Sequence, residues 1–236
     1  MSSSLPLPRF DVLRGGAALA ALVRDPSDLP KVFVVVDSLS GTAPHRLWLA
    51  FRRSDAGARL LRDRPEVVSL LLDRERLRRL PEGSLGRAYL DFVESEGISA
   101  ESFAAAYEEA KAVGFGASEM EYVVSRVRDS HDLFHALTGY KGDILGELAL
   151  LAFALGQHWN TGIAVIVLAA LLKGVAPGAA KLVLDGYRRG RAAEWLPALE
   201  WESLLATPVD ELRARLRVGA PPEYRPLRGA PGQVGE

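Results

Sequence analysis

No cysteine occurs among the 236 residues, and there are only four histidines. The missing thiols exclude disulfides, thiolate metal sites and a cysteine nucleophile. An excess of either charge is missing as well: 29 Lys and Arg stand against 30 Asp and Glu, a formal net charge of -1. A general nucleic-acid binder needs a basic surplus, so that class is set aside. The run Ile163 to Leu172 is wholly apolar but short, since a membrane-spanning helix needs about 20 such residues. "MSSSLPLPRF" lacks a charged head followed by an apolar core. Neither a signal peptide nor a transmembrane helix is therefore expected.

What is present reads as helix almost throughout. "FDVLRGGAALAALVRDP" has apolar residues at helical spacing and ends before Pro26. "LPKVFVVVDSLSG" has a strand-like β-branched run, yet an isolated strand is not stable, so a buried helix ending at Gly41 is expected. "LWLAFRRSDAGARLLRDRP" and "EVVSLLLDRERLRRLP" each read as one amphipathic stretch closed by proline. Ser84 and Ser99 are N-cap candidates. A long helix is expected from Ser118 to Leu137, and another from about Asp143 to Gly156. Pro177 suits a first helical turn, and Thr207 with Pro208 suits a cap and first position. The expectation is a single all-α domain over residues 1–236, frayed from about Pro222.

Two of the four histidines fall in "HDLFHALTGYKGDILGE", His131 to Glu147. On one helix His131 and His135 point the same way, about 40° apart, with Asp132 about 100° from His131, at the edge of that face. Gly139 is placed to end the helix in a left-handed conformation. The short turn "TGYKGD" then sends the next helix back antiparallel. Measured from the turn, His135 lies about 3 Å back, His131 about 9 Å back and Glu147 about 6 Å up the returning helix. The Glu147 carboxylate thus arrives between the imidazoles, in an apolar stretch where an unpaired charge is expensive. A divalent metal held by His131, Asp132, His135 and Glu147 removes that expense and leaves a neutral cluster. Such donors suit zinc first, and also iron, cobalt or manganese. The plainer alternative is an exposed histidine pair, with Glu147 against an arginine such as Arg128.

The string H-D-x-x-H-x11-E resembles the metal motif of the coenzyme Q biosynthesis protein 4 family. "RPEVVSLLLD", "LPEGSLGRAYLDFVESEGIS", "RDSHDLFHALTGY", "GELALLAFALGQ" and "PVDELRARLRV" also resemble family segments in family order, and the likeness is to a bacterial-type member. It implies a role in ubiquinone biosynthesis. The implied reaction is oxidative decarboxylation at C1 of a polyprenylated 4-hydroxybenzoate-type ring, with His131, Asp132, His135 and Glu147 as the catalytic metal ligands. It also implies prenyl-lipid binding, other ubiquinone-biosynthesis proteins as partners, and a cytoplasmic chain touching the membrane peripherally; a homodimer stays open. The competing reading is a prenyl-lipid-binding scaffold whose metal is structural. A metal phosphohydrolase would need further ligands such as His45 and His158, and no phosphate-cradling glycine loop supports it.

Around that site, Tyr140 and His158 are candidates for proton transfer, although packing is the commoner role of such residues. "GIAVIVLAALL" and "ELALLAFALG" could line a channel for a prenyl tail or simply form core. Arg188, Arg189 and Arg191 suit anionic headgroups or a solvated helix face.

Overall fold

The computed structural model describes residues 10–25, 29–99 and 118–228. Among them every regular element is helical, with no strand and one isolated bridge between Ser84 and Pro208. The helices are α1 Val12–Arg24, α2 Leu29–Leu39, α3 Ala43–Arg53, α4 Asp55–Asp63, α5 Val67–Leu72, α6 Arg74–Arg78 and α7 Leu85–Ser95. They continue as α8 Glu119–Asp129, α9 His131–Thr138, α10 Ile144–Gln157, α11 Thr161–Lys173, α12 Ala179–Ala192, α13 Trp201–Leu204 and α14 Val209–Arg215. A 3-10 turn covers Leu196–Ala198. The cap expected at Ser99 introduces a segment outside the described residues.

Two compact units can be distinguished, Met1–Pro44 with Asp143–Arg191 and Tyr224–Glu236, and His45–Gly142 with Ala192–Glu223. In the first, Ala18 and Leu22 of α1, Val35 of α2 and Ile166 of α11 form one apolar cluster. Leu148, Ala152, Ile163, Val167 and Val183 form a second, from α10, α11 and α12. The segments read as channel lining therefore meet as core. α2 is a helix ending before Gly41, as its lack of a partner strand predicted, but only one face is buried: Val35 is 0% exposed and Phe33 61%.

In the second unit, Leu47, Phe51, Leu60, Leu61, Tyr122, Val123 and Ala198 make the main cluster. Both long amphipathic stretches are broken. Ser54 accepts the Gly57 N–H and starts α4, while Asp73 accepts the Arg76 N–H and starts α6. Gly57 lies so close to the Phe51 backbone that a Cβ would collide with it, so glycine is what permits the tight turn from α3 into α4. The helix expected over Ser118 to Leu137 is also two. Buried Ser130 donates its hydroxyl to the Arg126 carbonyl at 2.8 Å and leaves helical geometry at ψ 6°, so α9 begins afresh at His131. Pro177 precedes α12 instead of occupying its first turn, and Pro208 caps α14 where Thr207 was expected.

Candidate metal centre

α9 reads HDLFHALT, and its Leu133 and Leu137 are fully buried. That apolar face carries His135 inward with it, leaving the side chain 1% exposed. Gly139, at φ 79°, closes the helix by donating its N–H to the His135 carbonyl. A Cβ there would strike Pro221, so glycine is required by conformation and by space. Arg213 of α14 donates to the terminal carbonyls of Leu137 and Ala136 at 2.9 and 3.2 Å.

The reversal also sets the tautomer of His135. Its Nδ1 lies 2.9 Å from the Tyr140 carbonyl, which only accepts, so Nδ1 carries the proton and Nε2 keeps its lone pair. The two Nε2 atoms of His135 and His131 face each other at 3.1 Å, their rings 81° apart. Phe92 of α7 stacks flat on the His135 ring, 4.6 Å between centroids. α10 then starts at Asp143, which caps it through the Leu145 N–H. Glu147 sits in the first turn, where the helix dipole favours a carboxylate, between buried Gly146 and Leu148.

One ligand atom from each of His131, His135 and Glu147 lies within 4.8 Å of the others. Two imidazole nitrogens at about 2.05 Å from a tetrahedral ion would stand about 3.3 Å apart, close to the separation found. The donor set fits a divalent ion. Asp132 is not in that group. Its charge also bears on Tyr89 of α7, whose phenol is raised above its ordinary pKa by burial first and by Asp132 second. Arg128, the alternative partner for Glu147, lies 2.8 Å from Asp129.

The proton-transfer candidates take the commoner role, as structural residues. Tyr140 is 1% exposed and serves His135 through its carbonyl. His158 is the C-cap of α10, eleven residues and about 16 Å along the axis from Glu147. Desolvation brings its pKa down to about 4. His45 packs against Trp48, and Arg188 pairs with Asp185 at 3.6 Å. Sequence reasoning missed the Tyr140 carbonyl, Phe92 and Arg213. The first had a signal: a left-handed glycine four residues after a histidine turns the next carbonyl back toward that side chain.

Residues 6–222 match the family described as coenzyme Q (ubiquinone) biosynthesis protein Coq4. The chain belongs to that family. Among Coq4 relatives, the mitochondrial ubiquinone biosynthesis protein of Talaromyces stipitatus is 38% identical over 95% of this chain and 78% of its own. That of Arthroderma otae is 34% identical over 78% of this chain and 68% of its own. The crystal structure of a Nostoc punctiforme protein assigned to ubiquinone biosynthesis superposes with a TM-score of 0.64 at 21% identity, over 89% of this chain and 100% of that one. At that identity the likeness is one of fold. This Coq4 chain is thus a member of a ubiquinone-biosynthesis family, and its all-α architecture agrees with the expectation from sequence.

Proposed function

We propose that the chain catalyses metal-dependent oxidative decarboxylation at C1 of a polyprenylated 4-hydroxybenzoate-type intermediate of ubiquinone biosynthesis. The observation that carries this reading is the pair of imidazole Nε2 atoms converging at 3.1 Å, one of them tautomer-locked, with the Glu147 carboxylate beside them. A bound divalent ion, zinc first, would supply a Lewis acid for the ring carboxylate or phenolate. The residues of the chain do the rest. The Tyr140 carbonyl holds the Nδ1 proton of His135, and Phe92 screens that imidazole from water. Glu147 would offset part of the positive charge of a bound ion, and Asp132, at the edge of the same face, would bring the cluster to neutrality as a further ligand. Carbon dioxide leaves and a hydroxyl takes its place. With dioxygen as the two-electron oxidant and water as co-reactant the balance closes, the aryl acid, dioxygen and water giving the phenol, carbon dioxide and hydrogen peroxide.

Asp132→Asn and Glu147→Gln test the assignment. Both keep volume and remove one carboxylate. Each should lower metal affinity or turnover by at least about tenfold without unfolding the chain. The readouts are elemental analysis and rescue of ubiquinone synthesis in cells lacking ring decarboxylation. Full rescue by both variants would leave the scaffold reading in place of catalysis.

A peripheral membrane contact is part of the proposal. Among the described residues no helix is long and apolar enough to cross a membrane. Yet α1 exposes Val12 and Leu13, α2 exposes Phe33, and α11 exposes Leu168 and Leu172, the last at 79%. Exposed apolar side chains on three helices that pack together support contact with lipid. Leu168→Glu with Leu172→Glu should reduce co-flotation with anionic phospholipid vesicles severalfold; unchanged flotation would remove α11 from that contact.

A further inference from the structure

The residues after Pro222, expected to fray, are tied down as far as Leu227, and what they hold is the cap of the helix bearing Glu147. Asp143 is 3% exposed and accepts three hydrogen bonds. One comes from its own helix, the Leu145 N–H at 3.1 Å. The others come from far along the chain: the Tyr224 hydroxyl and the Leu227 N–H, both at 2.8 Å. The Leu227 carbonyl returns the contact by accepting the Ile144 N–H at 3.0 Å. The family match ends at residue 222, so both strap donors lie beyond it.

We propose that Tyr224–Leu227 is a positioning strap for the metal centre, acting through Asp143 on Glu147. The proposal rests on the metal reading given above. Glu147 donates its N–H to the Asp143 carbonyl at 2.8 Å, so the cap and the ligand are joined by one turn of backbone. A buried carboxylate that loses two of three donors must move toward water or other partners, because an unsatisfied charged group is costly in the interior. Its movement swings the first turn of α10, and with it the Glu147 carboxylate. A metal ligand tolerates little displacement: supporting groups outside the coordination sphere commonly change metal affinity 10- to 100-fold. Asp143, Tyr224 and Leu227 are thus positioning residues that touch neither metal nor substrate.

The test uses the full chain carrying Tyr224→Phe with Leu227→Pro, which deletes the hydroxyl and the N–H together. Zinc affinity is measured by competition with a chromogenic chelator, and amide exchange is followed at Ile144 to Glu147. The strap predicts a 10- to 100-fold loss of zinc affinity and about tenfold faster exchange at those amides, with the melting temperature nearly kept. A merely structural role would lower the melting temperature and leave affinity of the folded chain unchanged, overturning the proposal. Tyr224→Phe alone, which keeps the backbone bonds, should lose about threefold to tenfold; it decides the matter if the double variant does not fold. Failure of wild type itself to bind zinc would overturn the metal reading and the strap with it. Zinc binding by wild type and equal binding by both variants would overturn the strap alone.

Discussion

His135→Ala is expected to lower divalent-metal affinity by at least about 100-fold and to abolish turnover. Burial, a hydrogen bond, a stacked ring and a second imidazole all fix this side chain. It is almost wholly buried, its tautomer is fixed by the Tyr140 carbonyl, its ring is stacked on Phe92, and its Nε2 faces that of His131. Alanine removes the donor and leaves a cavity that water could enter but not coordinate from with the same geometry. The fold should persist, because Leu133 and Leu137 still bury the same face of α9. Zinc competition with circular dichroism on the same samples checks it. Full metal occupancy in the folded variant would place the metal elsewhere.

The largest effect on stability is expected from Arg126→Ala, at about 3–5 kcal/mol. The Arg126 side chain is 1% exposed, and its guanidinium pairs with Glu202 at 2.8 Å. It also donates to the carbonyls of Pro65 and Leu199, at 3.3 and 2.9 Å. One side chain of α8 therefore ties together the approach to α5 and the segment before α13. Truncation leaves Glu202 without its cation and two carbonyls without donors, which is why breaking such a pair costs far more than the pair contributes. Arg126→Leu with Glu202→Leu should recover a good part of the loss, since no charge is then stranded. Urea denaturation of the three variants measures this. A loss below about 1 kcal/mol in Arg126→Ala would mean that water solvates the group in the native protein.

The part of the centre that follows from helix periodicity was legible in the amino-acid sequence. His135 falls four positions after His131 and Glu147 four after the cap Asp143, so helix geometry and a short turn point the three ligands toward one another. Asp132 was harder because its position, about 100° around the helix from His131, lies at the edge of the face. Periodicity alone does not say whether its carboxylate serves the ligands or α7, where its charge also bears on Tyr89. Periodicity also joined segments that capping divides. Ser54, Asp73 and Ser130 interrupt apolar patterns that continue across them, and a serine inside a helix carries no mark of whether its hydroxyl will bond back to the chain. The tail failed for another reason: Pro- and Gly-rich composition argues for fraying, and only the position of Asp143 reveals what Tyr224 and Leu227 bond to.

The most direct measurement is release of labelled carbon dioxide from a polyprenyl 4-hydroxybenzoate carrying the label in its ring carboxylate. It is run under oxygen with metal-loaded protein, chelator-stripped protein and His135→Ala. The account predicts labelled carbon dioxide and the matching hydroxylated ring from the metal-loaded chain, and neither from the other two. Equal release from the stripped protein, or none from a chain with full metal occupancy, would contradict it.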